Sequence, residues 1–128
     1  MPLVRISLPA GKGAAYAKGV SDGVHEAMRA IIDVPEADRF QIVTEHTPGS
    51  LVIDPTFLGV ERGTDALIVQ ITLRAGRTTD QKKALYRTVA ENLHARLGIR
   101  KQDVMIVLTE NALIDWSFGN GEAQYVPD

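Results

Sequence analysis

The sequence predicts an α/β fold in which two tandem β-α-β units share one four-stranded sheet, with both helices on the same face. Three observations carry that expectation. The chain repeats itself without a gap at a spacing of 65 residues: LVRISLPAGK from Leu3 lies over IVQITLRAGR from Ile68, and VPEADRFQIVTE from Val34 over IRKQDVMIVLTE from Ile99. Each copy switches from a strand-like run to a helix-spaced apolar stripe and back. Across residues 3 to 45, 12 of 43 pairs are identical, too many for unrelated segments of ordinary composition.

The elements follow in order. Residues 3–8 and 67–73 are rich in β-branched residues and read as strands, with Pro2 at the mouth of the first, where a missing N–H is tolerated. A glycine-bearing turn follows in each copy. Tyr16, Val20, Val24, Ala27 and Ile31 then form one helical stripe, and Leu85, Val89, Leu93 and Leu97 form the other. Gly98 is placed to stop the second helix. FQIVTE (40–45) and VMIVLTE (104–110) close the copies as strands. A strand–helix–strand crossover is parallel and right-handed, which sets the topology within each copy.

The expected organisation is one domain over 1–128: a first repeat over about 2–45, a connection over 46–66, a second repeat over about 67–110 and a tail over 111–128. The connection carries two prolines and three glycines, with one short strand expected at LVI (51–53). With both helices on one side, strands apolar on both faces leave the other side of the sheet uncovered. Oligomerisation is therefore expected from burial alone.

Composition narrows the function. Apolar residues make up 45% of the chain and charged residues 23%, ordinary values for a globular protein. A formal charge of -2 offers no footprint for nucleic acid. Cysteine is absent, which excludes disulfides and thiolate chemistry. No signal peptide is evident, and no run of about 18 apolar residues could span a bilayer, so a cytoplasmic protein without membrane partners is expected. No histidine, aspartate and glutamate spacing suits a metal, and no phosphate-cradling or dinucleotide motif occurs; no cofactor is expected.

A few residues could do chemistry. Removal of Met1 would make Pro2 a secondary amine that titrates near neutrality on the end of a rigid strand. Arg74 ends the first strand of the second copy and Arg77 lies in the following turn; two guanidinium forks suit a carboxylate. Arg74 reaches Pro2 only if the copies run antiparallel or a neighbouring subunit contributes. Asp38 enters the last strand of the first copy, but its repeat counterpart is Asp103, so a turn or capping role fits it equally. His25 and His94 fall within the helices as surface or flanking positions. Trp116 and Phe118, in DWSFGNG, are either interface aromatics or an apolar pocket wall.

The N-terminal proline, the duplicated unit, the arginine pair and the segments VPEADRFQ, HTPG, TTDQK and ENALIDWSFGNG together resemble the tautomerase superfamily, and within it the malonate semialdehyde decarboxylases. The likeness runs through nearly the whole chain. It implies Pro2 and Asp38 as catalytic residues, Arg74 and Arg77 as catalytic residues that also grip the substrate carboxylate, Trp116 and Phe118 as an aromatic wall, and a homotrimer. One departure stands out: two residues, Ala75 and Gly76, separate the arginines where the family pattern has one.

The resemblance implies a small oxo acid as substrate, and the charge on Pro2 selects the reaction. A neutral amine is a base for keto–enol tautomerisation of a 2-oxo acid such as phenylpyruvate. A cationic amine polarises a carbonyl, or condenses with it, and promotes decarboxylation of 3-oxopropanoate to acetaldehyde. The arginines favour the neutral form and Asp38 the cationic one. Asp38 thus tilts the expectation toward decarboxylation. A non-catalytic trimeric binding module is the alternative if Met1 is retained, because the Pro2 nitrogen is then an amide.

Overall fold

The computed structural model describes residues 2–128; whether Met1 is removed lies outside them. Strand β1 (Leu3–Pro9) leads into helix α1 (Ala14–Ile32) and strand β2 (Phe40–His46). The second copy repeats this as β3 (Leu67–Arg74), α2 (Thr79–Leu97) and β4 (Val104–Asn111). The four strands lie in the order β2-β1-β3-β4. Strands pair in parallel within each copy, β1 with β2 and β3 with β4.

Between the copies, β1 and β3 pair antiparallel, with Leu3 opposite Thr72 and Ser7 opposite Ile68. This decides the condition left open by the sequence. The start of β1 and the end of β3 lie at the same edge of the sheet, within one chain.

Strand alternation divides the sheet. Val4, Ile6 and Leu8 of β1 and Leu67, Val69, Ile71 and Leu73 of β3 are buried under the helices. Helix α1 brings Val20, Val24, Ala27 and Met28 to this core, and α2 brings Leu85, Val89 and Leu93. Burying each such leucine or valine contributes about 1.5–3 kcal/mol. The helices pack closely because α1 carries glycine where they touch: a Cβ on Gly23 would lie 2.9 Å from Leu93 Cδ2. Helix α2 starts with a capping box in which Thr78 accepts from the Gln81 N–H and the Gln81 side chain accepts from the Thr78 N–H. It ends at Gly98 in the left-handed region, φ 67°.

The opposite face of the sheet exposes Phe40, Ile42, Met105 and Val107. The expected strand at 51–53 is not formed. Val52 is 84% exposed, and among the described residues no strand pairs with the segment. The connection instead contains a single 3-10 turn at Phe57–Gly59.

Gly23→Leu should destabilise the protein by about 1–3 kcal/mol, because a buried leucine must be displaced to admit the new side chain. A lower urea midpoint with an unchanged slope is the expected readout.

Candidate active site

Two shallow hollows adjoin at the edge where β1 begins and β3 ends. The first, of about 430 Å³, is lined by Asp38, Arg74 and Arg77 together with Pro35, Gln81 and Tyr125. The second, of about 450 Å³, is lined by Trp116 and Phe118 with Leu3, Phe40, Thr72 and Asn111. The Phe118 ring meets Tyr125 edge-on, centroids 5.2 Å apart, which joins the two walls. Phe118 also stacks on Trp116 at 5.6 Å and leans on Phe40 at 5.5 Å. The structure therefore brings Asp38, Arg74 and Arg77 to one place and sets the predicted aromatic wall beside it.

Pro2 is buried just before β1. Continuing the register by one step sets it opposite Leu73 on one side and Arg39 on the other, so its chain neighbours across the sheet are next to Arg74 and Asp38.

Each of these side chains has a local cause. Arg74 is the last residue of β3, and the turn after it is closed by the Ala75 N–H donating to the Asn111 carbonyl at 2.8 Å. Gly76 has φ +127°, a conformation side-chain-bearing residues rarely adopt, and this accommodates the longer turn. Arg77 then folds back, its Nη1 donating to the Arg74 carbonyl at 2.9 Å. Burial, and next the Arg74 charge, lower the Arg77 pKa from its usual value. Glu110 braces the turn: Lys82 donates to it at 2.9 Å, and together with the Gly76 N–H holds its carboxyl below the usual range.

Asp38 sits in a turn of its own, with its N–H donating to the Pro35 carbonyl at 3.1 Å. That loop is held from below by His25. The expectation of a surface histidine is corrected here: His25 is 3% exposed, and its Nε2 lies 3.0 Å from the Glu36 carbonyl. Donation to that carbonyl assigns the proton to Nε2. Helical spacing alone could not reveal it, since the partner comes from a loop eleven residues away. On the other side of Asp38, Arg39 pairs with Asp22 of α1 at 2.6 Å. Asp103, the repeat counterpart of Asp38, is buried and accepts from the Gly63 N–H at 2.7 Å, a structural role. His94 contacts the Ile99 carbonyl at 3.0 Å.

Gln81 and Tyr125 were not singled out from sequence. Gln81 had a readable signal, the T-x-x-Q capping box. Tyr125 had none, because its place depends on how the tail folds back. Among the described residues no cluster of three potential metal ligands occurs, and no helix is long and apolar enough to cross a membrane.

Comparison with known proteins identifies the family and the fold. Residues 38–119 match a family model described as tautomerase enzyme, and residues 2–61 match a second model of the same description. The chain is 43% identical to the Bacillus subtilis (strain 168) protein named "Probable tautomerase YusQ" over 126 residues, 98% of this chain and 99% of that one. It is 36% identical to "Probable tautomerase YrdN" of the same organism, over 98% of this chain and 97% of that one. Among solved structures, FG41 malonate semialdehyde decarboxylase inhibited by 3-bromopropiolate superposes with a TM-score of 0.90 at 37% identity, covering 96% of this chain and 93% of that one. A fused 4-OT described as a symmetric trimer superposes with a TM-score of 0.77 at 26% identity, covering 94% of each chain. The chain belongs to the tautomerase superfamily and is an enzyme of that class.

Two outcomes follow from the loop around Asp38. Lys18 and Arg39 hold the Asp22 carboxyl below its usual 3.8. Its stabilisation is then complete above that value and is lost as pH falls through the lower folded pKa. Asp22→Asn should remove about 0.5 kcal/mol at neutral pH, and less as the solution is acidified, seen in urea midpoints measured against pH. His25→Leu should cost about 1–3 kcal/mol in the same assay, by leaving the Glu36 carbonyl without its donor.

Proposed function

We propose that this enzyme is a cofactor-independent decarboxylase acting in the cytoplasm on 3-oxopropanoate (malonate semialdehyde), releasing acetaldehyde and carbon dioxide. One observation carries this reading: Asp38 lines the same hollow as Arg74 and Arg77, at the end of the sheet where Pro2 leads into β1. A base that only shuttles protons gains nothing from a carboxylate beside it. A cationic Pro2 does.

In this mechanism Met1 is removed and Asp38 keeps the Pro2 amine protonated. Arg74 and Arg77 bind the substrate carboxylate and turn it so that the bond to be broken overlaps the carbonyl π system. Pro2 donates a hydrogen bond to the aldehyde oxygen. The electron pair of the breaking C–C bond moves into an enolate whose negative charge the ammonium stabilises. Carbon dioxide leaves, and a proton taken up from solvent by the carbon that carried it gives acetaldehyde. The aromatic wall of Trp116, Phe118 and Tyr125 favours the neutral gas over the anion from which it forms. In a second route, a Pro2 amine that has given up its proton adds to the aldehyde carbon and expels water, and the resulting iminium ion supplies the same electron sink.

A second reading, keto–enol tautomerisation of a 2-oxo acid, has its own support in the names of the two Bacillus relatives and in the paired cations, which favour a neutral Pro2. In either case the exposed apolar sheet face supports assembly as a homotrimer.

Assays on 3-oxopropanoate and phenylenolpyruvate separate these readings. Pro2→Ala should lower kcat/KM for the decarboxylation by about 100-fold or more. Arg74→Ala should raise KM by about 10- to 100-fold, the loss of a charged hydrogen bond. Nitrogen NMR should place the Pro2 amine pKa above the usual α-amino value; a value at or below about 7 would instead select the tautomerase. Borohydride added with substrate should leave an adduct on the N-terminal peptide if an imine forms. An intact mass that retains Met1 would overturn the enzymatic mechanism altogether.

A further inference from the structure

The hollow that holds Arg74 and Arg77 has fewer free donors than two arginines suggest. Nη1 of Arg77 is spent within the turn on the Arg74 carbonyl, 2.9 Å away. A carboxylate has two oxygens and about four acceptor positions to satisfy. Gln81 lines the same hollow, half-buried on the first turn of α2.

What Gln81 can offer is fixed by its own hydrogen bonds. Its Oε1 accepts from the Thr78 N–H at 2.9 Å, and its backbone N–H donates to Thr78 Oγ1 at 3.1 Å. A backbone N–H can only donate, so the side-chain amide cannot be turned over: Oε1 belongs on Thr78 and Nε2 on the other arm. The polar group left to the residue is therefore an NH2 with two donors. Among the described residues nothing accepts from it.

Helix capping alone does not call for this residue. Helix α1 begins without such a cap: Gly13 is its N-cap with no side-chain hydrogen bond, and Tyr16 stands 65 positions before Gln81. Glutamate also closes a capping box, and its charge suits the positive end of a helix. A glutamate at this position would set an anion beside the two arginines and compete with any carboxylate they hold. Glutamine closes the box as well and adds a donor instead.

We propose that Gln81 is a third element of the anion site: its Nε2 donates a hydrogen bond to the carboxylate held by Arg74 and Arg77, so that one side chain both caps α2 and binds the substrate. The role rests on the proposed function only in that the hollow receives a carboxylate, and it is the same for decarboxylation and for tautomerisation.

The test uses 3-hydroxypropanoate, which carries a carboxylate but has an alcohol in place of the reacting carbonyl, and is bound without turnover. Titrated into the full-length protein, it should give saturable NMR shifts at the Gln81 side-chain amide and at the Nε–H groups of Arg74 and Arg77. The uncharged 3-hydroxypropanamide should give none. Gln81→Glu keeps the capping box and removes the donor, so it should bind 3-hydroxypropanoate at least about 10-fold more weakly, with an unchanged or higher urea midpoint. Gln81→Met removes the donor without adding charge; binding should again weaken by about 10-fold, here with a lower urea midpoint from the lost cap. The role is overturned if the arginine resonances shift while the Gln81 amide stays still, or if either variant binds as tightly as the wild type. The carboxylate grip of the proposed function would survive that result. No saturable shift at any of the three residues, or equal binding of the amide, would overturn both. Shifts at all three and weakened variants, in a protein that turns over neither 3-oxopropanoate nor phenylenolpyruvate, would sink the proposed reaction and leave the role of Gln81 standing.

Discussion

The antiparallel ladder between β1 and β3 is the constraint from which the rest of the molecule follows. Each copy alone is a parallel pair with one covering helix, and such a unit can place its own strand ends only where its own crossover permits. Pairing two copies head to tail through Leu3–Ser7 and Ile68–Thr72 brings the beginning of one to the end of the other. Pro2 and Arg74, separated by most of the chain, thereby become neighbours at one sheet edge. The same ladder aligns the buried faces of β1 and β3, so core packing and site assembly share one register. A slip of one residue would turn Val4, Ile6 and Leu8 outward and take the site apart in the same step.

Around that ladder the chain braces its loops from the helical layer. His25, inside the core, reaches the loop that carries Asp38, and the Arg39–Asp22 pair ties the residue after Asp38 to α1. On the other copy, the capping box at Thr78 and the Lys82–Glu110 pair hold the turn between the arginines. The side chains that face the hollow thus stand on turns whose backbones are fastened to rigid elements, as positioning of reacting groups requires.

Much of this was legible in the residues. The 65-residue repeat exposed the strand–helix–strand units, and their helical stripes named Val20, Val24, Ala27, Leu85, Val89 and Leu93, which the structure buries, along with Tyr16, Ile31 and Leu97, which it half-buries. Strand ends differed by one residue, which hydrogen bonding at Pro9, His46, Arg74 and Asn111 decides and composition does not. Three things escaped. The relative direction of the two copies is a property of inter-strand pairing, which neither copy encodes locally. The strand expected at 51–53 has the right residue types but joins neither outer edge of the sheet, and a segment without a partner has no ladder. The division of the site into a polar hollow and an aromatic one depends on how the glycine-rich tail folds back to set Tyr125 against Phe118.

The turn at Ala75 and Gly76 has a thermodynamic corollary. It confines two like charges to one small region, and the partial burial of Arg77 denies that charge part of its hydration. The unliganded fold therefore carries an electrostatic load which the denatured chain, free to separate the two cations, does not. Under the proposed function, a carboxylate held between them would turn that load into attraction, so occupancy and folding would be coupled and the bound carboxylate would stabilise the native state.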